Sequence, residues 1–330
     1  MNVNRKGPEI GTKDAVVPHD KNNVMKDINK LVRENIQKLV PYSSARDEFT
    51  GAGIFLDANE NPFGELNRYP DPYQQDLKRV LSTQKAVLEE NIFIGNGSDE
   101  IIDLLFRVFC EPGKDKVLTF TPTYGMYEVS AAINDISLKT IALDESFQIP
   151  MPAFQNCISS DYFKLLFVCS PNNPTGNLMD ETDLERVLRS FKGIVVIDEA
   201  YIDFTPARSW SKRLWEFPNL VVLQTMSKAQ ALAGARIGIG FGSKEIIALL
   251  NKVKPPYNVS QPNQKAAIQI LQNNSIYKQR IREISDQKEL LIRELSGNKR
   301  VTKIFPSDTN FILIEVDDAD GIYQSLKESG

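Results

Sequence analysis

Lys228 lies in the string TMSKAQALAGAR, directly after the apolar run LVVLQ. A lysine amine can condense with an aldehyde, and burial or nearby positive charge helps to free it of its proton. Taken alone, a lysine at a strand end is more often a surface residue whose stem lies along apolar neighbours. The residues around it change that reading. Asp198 closes a second apolar run, IVVI, and opens DEAY. A carboxylate there is costly to bury without a cationic partner, and a protonated pyridine nitrogen is such a partner. The same aspartate could instead cap a turn or a short helix. Tyr201, three residues on, and Asn173, in CSPNNPTG, could each reach a phenolic oxygen on that ring or serve as turn residues. Ser227 and Arg236 flank Lys228, and a guanidinium can grip a phosphate through paired hydrogen bonds. In IGNGSDE, Gly97, Ser98 and Asp99 stand at the start of a helix, where free amides and the helix dipole favour an anion. The string is not a dinucleotide fingerprint, because Glu100 stands where a third glycine belongs. Tyr124, in TPTYGMY, could stack on a planar ring or belong to the core. An amine for an aldehyde, an acceptor for a protonated pyridine nitrogen, and donors for a phenolic oxygen and a phosphate together describe a site for pyridoxal 5′-phosphate (PLP).

Other chemistries are hard to build here. The 330 residues include one histidine, His19, in a polar N-terminal stretch (1–24) that has no apolar periodicity and reads as a disordered tail. A histidine-based triad and a multi-histidine metal site are thereby excluded, and no metal is expected. Proton transfer falls to Lys, Tyr, Asp or Glu. A net charge of -4 argues against nucleic acid or an anionic membrane as partner. No apolar run approaches the ~18 residues of a membrane span, and no signal-peptide core is present. Cys110, Cys157 and Cys169 fit no zinc spacing. Cys110 and Cys169, in apolar runs, read as buried and reduced, which points to the cytoplasm.

The elements that must position these residues follow from periodicity. Ile28, Leu31, Val32, Ile36 and Leu39 make a helical stripe stopped by Pro41, and LDANENPFGELNRYPDPY reads as an extended, looped segment. From about Asp71, apolar strands (NIFIGNG, KVLTFTPTY, LLFVCSPNN, IVVIDEAYI, LVVLQTMSK, ARIGIGFG) alternate with helical patterns such as SDEIIDLLFRVF and SKEIIALLNKV. Strands without polar alternation, separated by amphipathic helices, mean an α/β fold with a mostly parallel sheet. The polar clusters PNNPTG, DEAY and TMSK each follow a strand, so they converge at the carboxyl ends of the sheet. After PPYNVSQP a second unit is expected: one long polar helix (about Gln264–Leu295), the strand TNFILIEV and a short helix. The expected divisions are a tail 1–24, an arm 25–68, a large domain 69–260 and a small domain 261–330.

The whole set resembles the class I/II (fold-type I) PLP-dependent aminotransferases, in particular the histidinol-phosphate aminotransferase family. The strings that carry the resemblance are PYSSARDEF, LDANENPFG, RYPDPY, GNGSDEIIDLLFRVFCEPG, PTYGMY, CSPNNPTG, VVIDEAYIDF, TMSKAQALAGARIGIG and TNFILIEV, in family order from about Lys30 to Val316. The resemblance implies a seven-stranded large domain, a smaller α/β domain and a homodimer. Lys228 then holds the cofactor and shuttles the proton, Asp198 pairs with the ring nitrogen, Asn173 and Tyr201 hold the phenolic oxygen, and Tyr124 stacks on the ring. Gly97, Ser98, Asp99, Ser227 and Arg236 surround the phosphate, and Tyr69 reaches the phosphate of the neighbouring subunit's cofactor. Tyr42 and Asn59 are substrate-side residues. The substrates implied are L-histidinol phosphate and 2-oxoglutarate. A threonine-phosphate decarboxylase, which shares most of these strings, is the alternative. The family continues past KESG into strands that carry a substrate-gripping arginine, so a C-terminal truncation, and with it a PLP-binding chain of impaired activity, is a further expectation.

Overall fold

The computed structural model describes residues 28–41 and 53–330. The tail 1–24 with His19, and Tyr42, lie outside the described residues.

Seven strands form one sheet: β1 (Ile92–Asn96), β2 (Lys116–Thr121), β3 (Ser137–Ala142), β4 (Leu165–Cys169), β5 (Ile194–Asp198), β6 (Leu220–Thr225) and β7 (Ile237–Gly242). They run in the order β1-β7-β6-β5-β4-β2-β3. Neighbours from β6 to β3 pair in parallel, and β7 is antiparallel to both β6 and β1. The mostly parallel seven-stranded sheet is therefore present, with β7 alone reversed.

Its central strands are unbroken apolar runs because helices cover both faces. The helices are α1 (Glu34–Lys38), α2 (Gln75–Lys85), α3 (Ser98–Phe109), α4 (Met126–Ile133), α5 (Met151–Ser160), α6 (Glu181–Ser190), α7 (Lys244–Val253) and α8 (Gln261–Gln272). Along β5, Ile194 and Val196 pack with the layer of α1, α3, α4 and α7, and Val195 and Ile197 with the layer of α2, α5, α6 and α8. β6 repeats the alternation with Val221 and Leu223 against Leu220 and Val222. Each fully buried aliphatic side chain contributes about 1.5–3 kcal/mol, so this double-sided core holds the strand ends firmly. Small polar caps start several helices. Asp180 accepts the Asp183 amide at 3.0 Å, and Ser243 accepts that of Ile246 at 3.4 Å.

The second unit comprises α9 (Asn274–Ser296), an antiparallel pair β8 (Val301–Ile304) and β9 (Ile314–Val316), and α10 (Ala319–Ser329). None of the described side chains in these four elements is buried.

Several local expectations give way to specific bonds. The N-terminal stripe is not one helix but a 3-10 turn (Ile28–Leu31) and α1. Arg33 is non-helical (φ -57, ψ 140), and its amide bonds the Val108 carbonyl at 2.9 Å. Ile28, Leu31, Val32 and Ile36 are buried as the stripe requires, while Leu39 is exposed. The long helix is two, broken at Asn273, whose side-chain amide caps the Gln269 carbonyl at 2.9 Å. The large core extends past the expected division at 261, because Ala267 and Leu271 of α8 belong to it. Within TNFILIEV only Ile314–Val316 pairs as strand. Upstream, the Lys288 amine takes the Ser307 and Thr309 carbonyls, both at 2.7 Å, and the Thr309 hydroxyl takes that of Phe311 at 3.1 Å.

Candidate active site

The sheet topology brings five elements together at one end of the strands. β4, β5 and β6 end there, β7 begins there, and α3 starts there just after β1. Between them lies a cavity of about 170 Å³ lined by Ser98, Asp99, Tyr124, Cys169, Asn173, Asp198, Ala200, Tyr201, Thr225, Ser227, Lys228, Ala233 and Arg236. The chemically assigned residues of the LVVLQTMSK, DEAY, PNNPTG, PTYGMY and GNGSDE strings thus share one space.

At its floor Asp198 is only 3% exposed. Its Oδ2 accepts the Tyr127 hydroxyl at 2.9 Å and its Oδ1 accepts the Ala200 amide at 3.1 Å. The second bond is the turn-capping role that the sequence left open, and it coexists with a face toward the cavity. Burial pushes the Asp198 carboxyl up to about 6, against the two hydrogen bonds, which pull it down. Among the described residues it has no ion-pair partner. Tyr127 is locked in turn by stacking on Phe167, with ring centroids 4.9 Å apart, and Tyr124 meets it edge-on at 5.7 Å. Burial and the neighbouring Asp99 raise the Tyr124 phenol to about 12, and burial with Cys169 and Asp198 raises Tyr201 to about 12. Both phenols therefore stay protonated donors at neutral pH. The Lys228 amine lies 5.8 Å from the Tyr201 ring centroid, and Tyr201 packs edge-on against Phe311 of the second unit.

The other end is built for an anion. Arg236 adopts a left-handed backbone (φ 52), and its carbonyl accepts the Gly97 amide at 2.9 Å. This clip lays the guanidinium over the start of α3. A Cβ on Gly97 would sit 2.5 Å from Arg236 Nη2, and Gly97 itself has φ +77. A Cβ on Gly238 would strike the Gly97 carbonyl carbon and the Ser98 nitrogen at 2.3 Å. The two glycines let β7, Arg236 and the start of α3 crowd together, with Ser98 and Ser227 also lining the cavity. Arg236 Nη2 reaches Asp99 Oδ2 and Nη1 the Ala233 carbonyl, both at a long 3.4 Å. A buried carboxylate without a cation, a lysine amine and a glycine-shaped anion cradle in one cavity fit the cofactor read from the sequence.

Two assigned residues lie elsewhere. Asn59 and Tyr69 line a separate cleft with Arg68 and the start of α8, and Tyr69 stacks on Tyr257 at 4.4 Å. Around them Ile54, Leu56 and Phe63 are exposed, Phe63 by 84%. Sequence reasoning missed Tyr127. It stands in the first turn of α4, where a fully buried tyrosine reads as core, and only the structure shows its hydroxyl on Asp198. It also assigned Cys169 to the core alone; the thiol is buried but also lines the cavity.

An amine, a buried carboxylate and an anion cradle at the carboxyl ends of a doubly covered parallel sheet define a cofactor-dependent α/β enzyme of carbonyl–amine chemistry. The sequence pattern described as aminotransferase class I and II matches residues 47–329. Histidinol-phosphate aminotransferase from Christiangramia forsetii is 51% identical over 312 residues, covering 93% of this chain and 89% of that one. The protein of the same name from Cytophaga hutchinsonii is 49% identical over 307 residues, covering 91% and 88%. Among solved structures, histidinol-phosphate aminotransferase from Clostridium acetobutylicum superposes with a TM-score of 0.73 at 27% identity, over 80% of this chain and 79% of that one. That from Sinorhizobium meliloti, in complex with pyridoxal-5′-phosphate, gives 0.72 at 25%, over 81% and 77%. The chain belongs to the class I and II aminotransferase family.

Proposed function

We propose that this chain is a PLP-dependent histidinol-phosphate aminotransferase, exchanging the amino group of L-histidinol phosphate for the oxo group of 2-oxoglutarate in histidine biosynthesis. The observation that carries the chemistry is the placement of Lys228, Asp198 and Arg236 in one cavity. The names of relatives near 50% identity support the substrate.

When bound, the cofactor supplies an aldehyde carbon and an electron-withdrawing ring. Lys228 holds it and takes the proton from the substrate α-carbon. Asp198, oriented by Tyr127 and Ala200, holds a proton on the ring nitrogen; a carboxyl pushed up to about 6 is still mostly ionised at neutral pH, as that task requires. Tyr201 and Asn173 hold the phenolic oxygen, and Tyr124 covers the ring. Ser98, Asp99, Ser227, Arg236 and the amides after Gly97 orient the phosphate, with Tyr69 contributed by a second copy. Asn59 and Tyr42 belong to the substrate side.

The protein acts as a homodimer on this reading. Support comes from the apolar arm around Tyr69, whose Ile54, Leu56 and Phe63 lie open on a single chain. Its setting is the cytoplasm, in keeping with three free, buried cysteines. Incubation with L-histidinol phosphate and 2-oxoglutarate, followed by product analysis, is the test. Glutamate formation supports the reading. Carbon dioxide release from threonine phosphate without glutamate formation would replace it with the decarboxylase.

A further inference from the structure

Lys228 and Tyr201 both line the cofactor cavity, and the lysine amine lies 5.8 Å from the Tyr201 ring centroid. Neither is held there by a strand. Lys228 stands beyond the end of β6 and Tyr201 beyond the end of β5, so each hangs from a loop. The Lys228 loop is closed by two backbone bonds, from the Ala231 amide to the Lys228 carbonyl at 3.1 Å and from the Leu232 amide to the Met226 carbonyl at 2.9 Å. Within it Ala231 takes a left-handed backbone (φ 56), which is unfavourable for any residue with a Cβ. Such a conformation persists where contacts from outside the loop over-determine it.

One such contact joins the two loops directly. Gln230, two residues after Lys228, is buried, and its Nε2 donates to Asp203 Oδ2 at 2.8 Å. Asp203, two residues after Tyr201, stands in the 3-10 turn Ile202–Phe204, where the Phe204 amide bonds the Tyr201 carbonyl at 3.0 Å. The joint is braced from two sides. Lys85, the last residue of α2, reaches Asp203 Oδ1 at 3.3 Å, and the two side chains are only 20% and 23% exposed, so water screens them less than a surface pair. From the first turn of α9, the Tyr277 hydroxyl oxygen accepts a second bond from Gln230 Nε2 at 3.2 Å. Burial, then the nearby Asp203 carboxylate, push the Tyr277 phenol up, so it stays protonated at neutral pH.

The Gln230 Oε1, by contrast, is buried with no hydrogen-bond partner. A leucine would fill the position without the cost of that unmet acceptor. What the amide adds is a directed bond between the two loops.

We propose that Gln230 and Asp203 are positioning residues of the reaction: their bond, braced by Lys85 and Tyr277, holds the Lys228 amine in register with the Tyr201 phenol. Neither lines the cofactor cavity, so both act through those two side chains. The inference rests on the reading of Lys228 as the lysine that holds the cofactor and of Tyr201 as a donor to its phenolic oxygen. A phenol that donates to that oxygen competes for it with the proton on the nitrogen that joins Lys228 to the cofactor. When the phenol and the lysine fall out of register, that nitrogen keeps its proton to higher pH.

The test is a pH titration of the cofactor's absorption band in the PLP-loaded protein and in its Gln230→Leu variant. The change is neutral for neutral, so it leaves the charge around the cofactor as it was. The expected result is a midpoint raised by about half a pH unit or more, roughly threefold in the proton equilibrium. The unfolding midpoint of the cofactor-free variant should stay close to that of the parent. A purely structural role would move unfolding and leave the titration in place, and that result overturns the proposal. Tyr277→Phe provides a second reading at a half-buried position, since it removes one of the two acceptors of Gln230 Nε2 and no charge. Its titration should move the same way by a smaller amount, and coincidence with the parent overturns the brace from α9. A parent with no pH-dependent cofactor band would sink the cofactor reading itself. A parent band that titrates, matched by that of Gln230→Leu, removes the joint alone.

Discussion

The seven-stranded sheet and the β8–β9 pair are built on opposite terms. In the first, β4, β5, β6 and β7 are buried along their whole length, and the reactive side chains hang from their ends. In the second, Val301, Ile304, Ile314 and Val316 are only half-buried, and Tyr323 and Leu326 of α10 are exposed. The difference teaches where precision comes from. A carboxylate such as Asp198 can be held without a cation only because the layers around it supply packing energy to offset its desolvation. The second unit meets the first through scattered contacts, among them Phe311 on Tyr201, Phe305 against Phe147, and Asp308, which accepts the Leu178 amide at 3.0 Å and donates its own to the Gly176 carbonyl at 2.7 Å.

The sharpest way to test this contrast is Asp198→Asn. The asparagine keeps an acceptor for the Ala200 amide and a partner for Tyr127, but it removes the charge. Transamination should fall by about a thousandfold or more, because the ring nitrogen loses its counter-charge. Stability of the cofactor-free protein should move the other way. The folded-state carboxyl titrates near 6 against an ordinary 3.8, so the folded state binds the proton more tightly. Wild-type stability is therefore lost as pH rises from about 4 to about 6, by roughly 1–3 kcal/mol. Unfolding midpoints of both proteins across that range should show the fall in wild type and a flatter curve in Asp198→Asn. A steeper fall in the variant would contradict the assignment of burial as the cause.

Truncations compare the two sheets directly. Phe167→Ala, in β4 and against Tyr127, should cost about 3–5 kcal/mol. Ile314→Ala, half-buried in β9, should cost less than half as much, by chemical denaturation at fixed pH. Equal costs would mean that the second unit is as tightly packed as the first.

The legible part of the molecule follows the same division. Strands β4 to β7 were readable because burial on both faces leaves apolar runs whose polar residues, Asp198, Gln224 and Thr225, fall only at the strand ends. β3, SLKTIA, was missed because it is an edge strand with mostly exposed side chains, so its periodicity is weak. The break at Asn273 was missed because a mid-helix asparagine becomes a cap only when its carbonyl partner is in place. Lys228, Asp198 and Arg236 were legible because charged groups at apolar strand ends need a reason. Tyr127 was not, because a tyrosine in a helix looks the same whether it fills the core or aims a carboxylate. Asn59 and Tyr69 were read from family likeness alone, and a single chain leaves them in a separate cleft.

Smaller effects probe that arm and the aim of Asp198. In mixed dimers of Tyr69→Phe with Lys228→Ala subunits, one site should be intact and the other doubly damaged. Half the wild-type turnover at wild-type affinity is the expected result. Half the turnover of the Tyr69→Phe homodimer would place Tyr69 in the site of its own chain. Tyr127→Phe should lower turnover by about ten- to a hundredfold, the worth of one hydrogen bond to a charged group. A variant with unaltered turnover would show that packing alone orients Asp198.

The central claim is that Lys228 is the residue that holds the cofactor. Borohydride reduction of the PLP-loaded protein, followed by peptide mapping, tests it most directly. The account predicts a pyridoxyl group on Lys228 and on no other lysine. A label on a different lysine, or none after saturation with PLP, would contradict it.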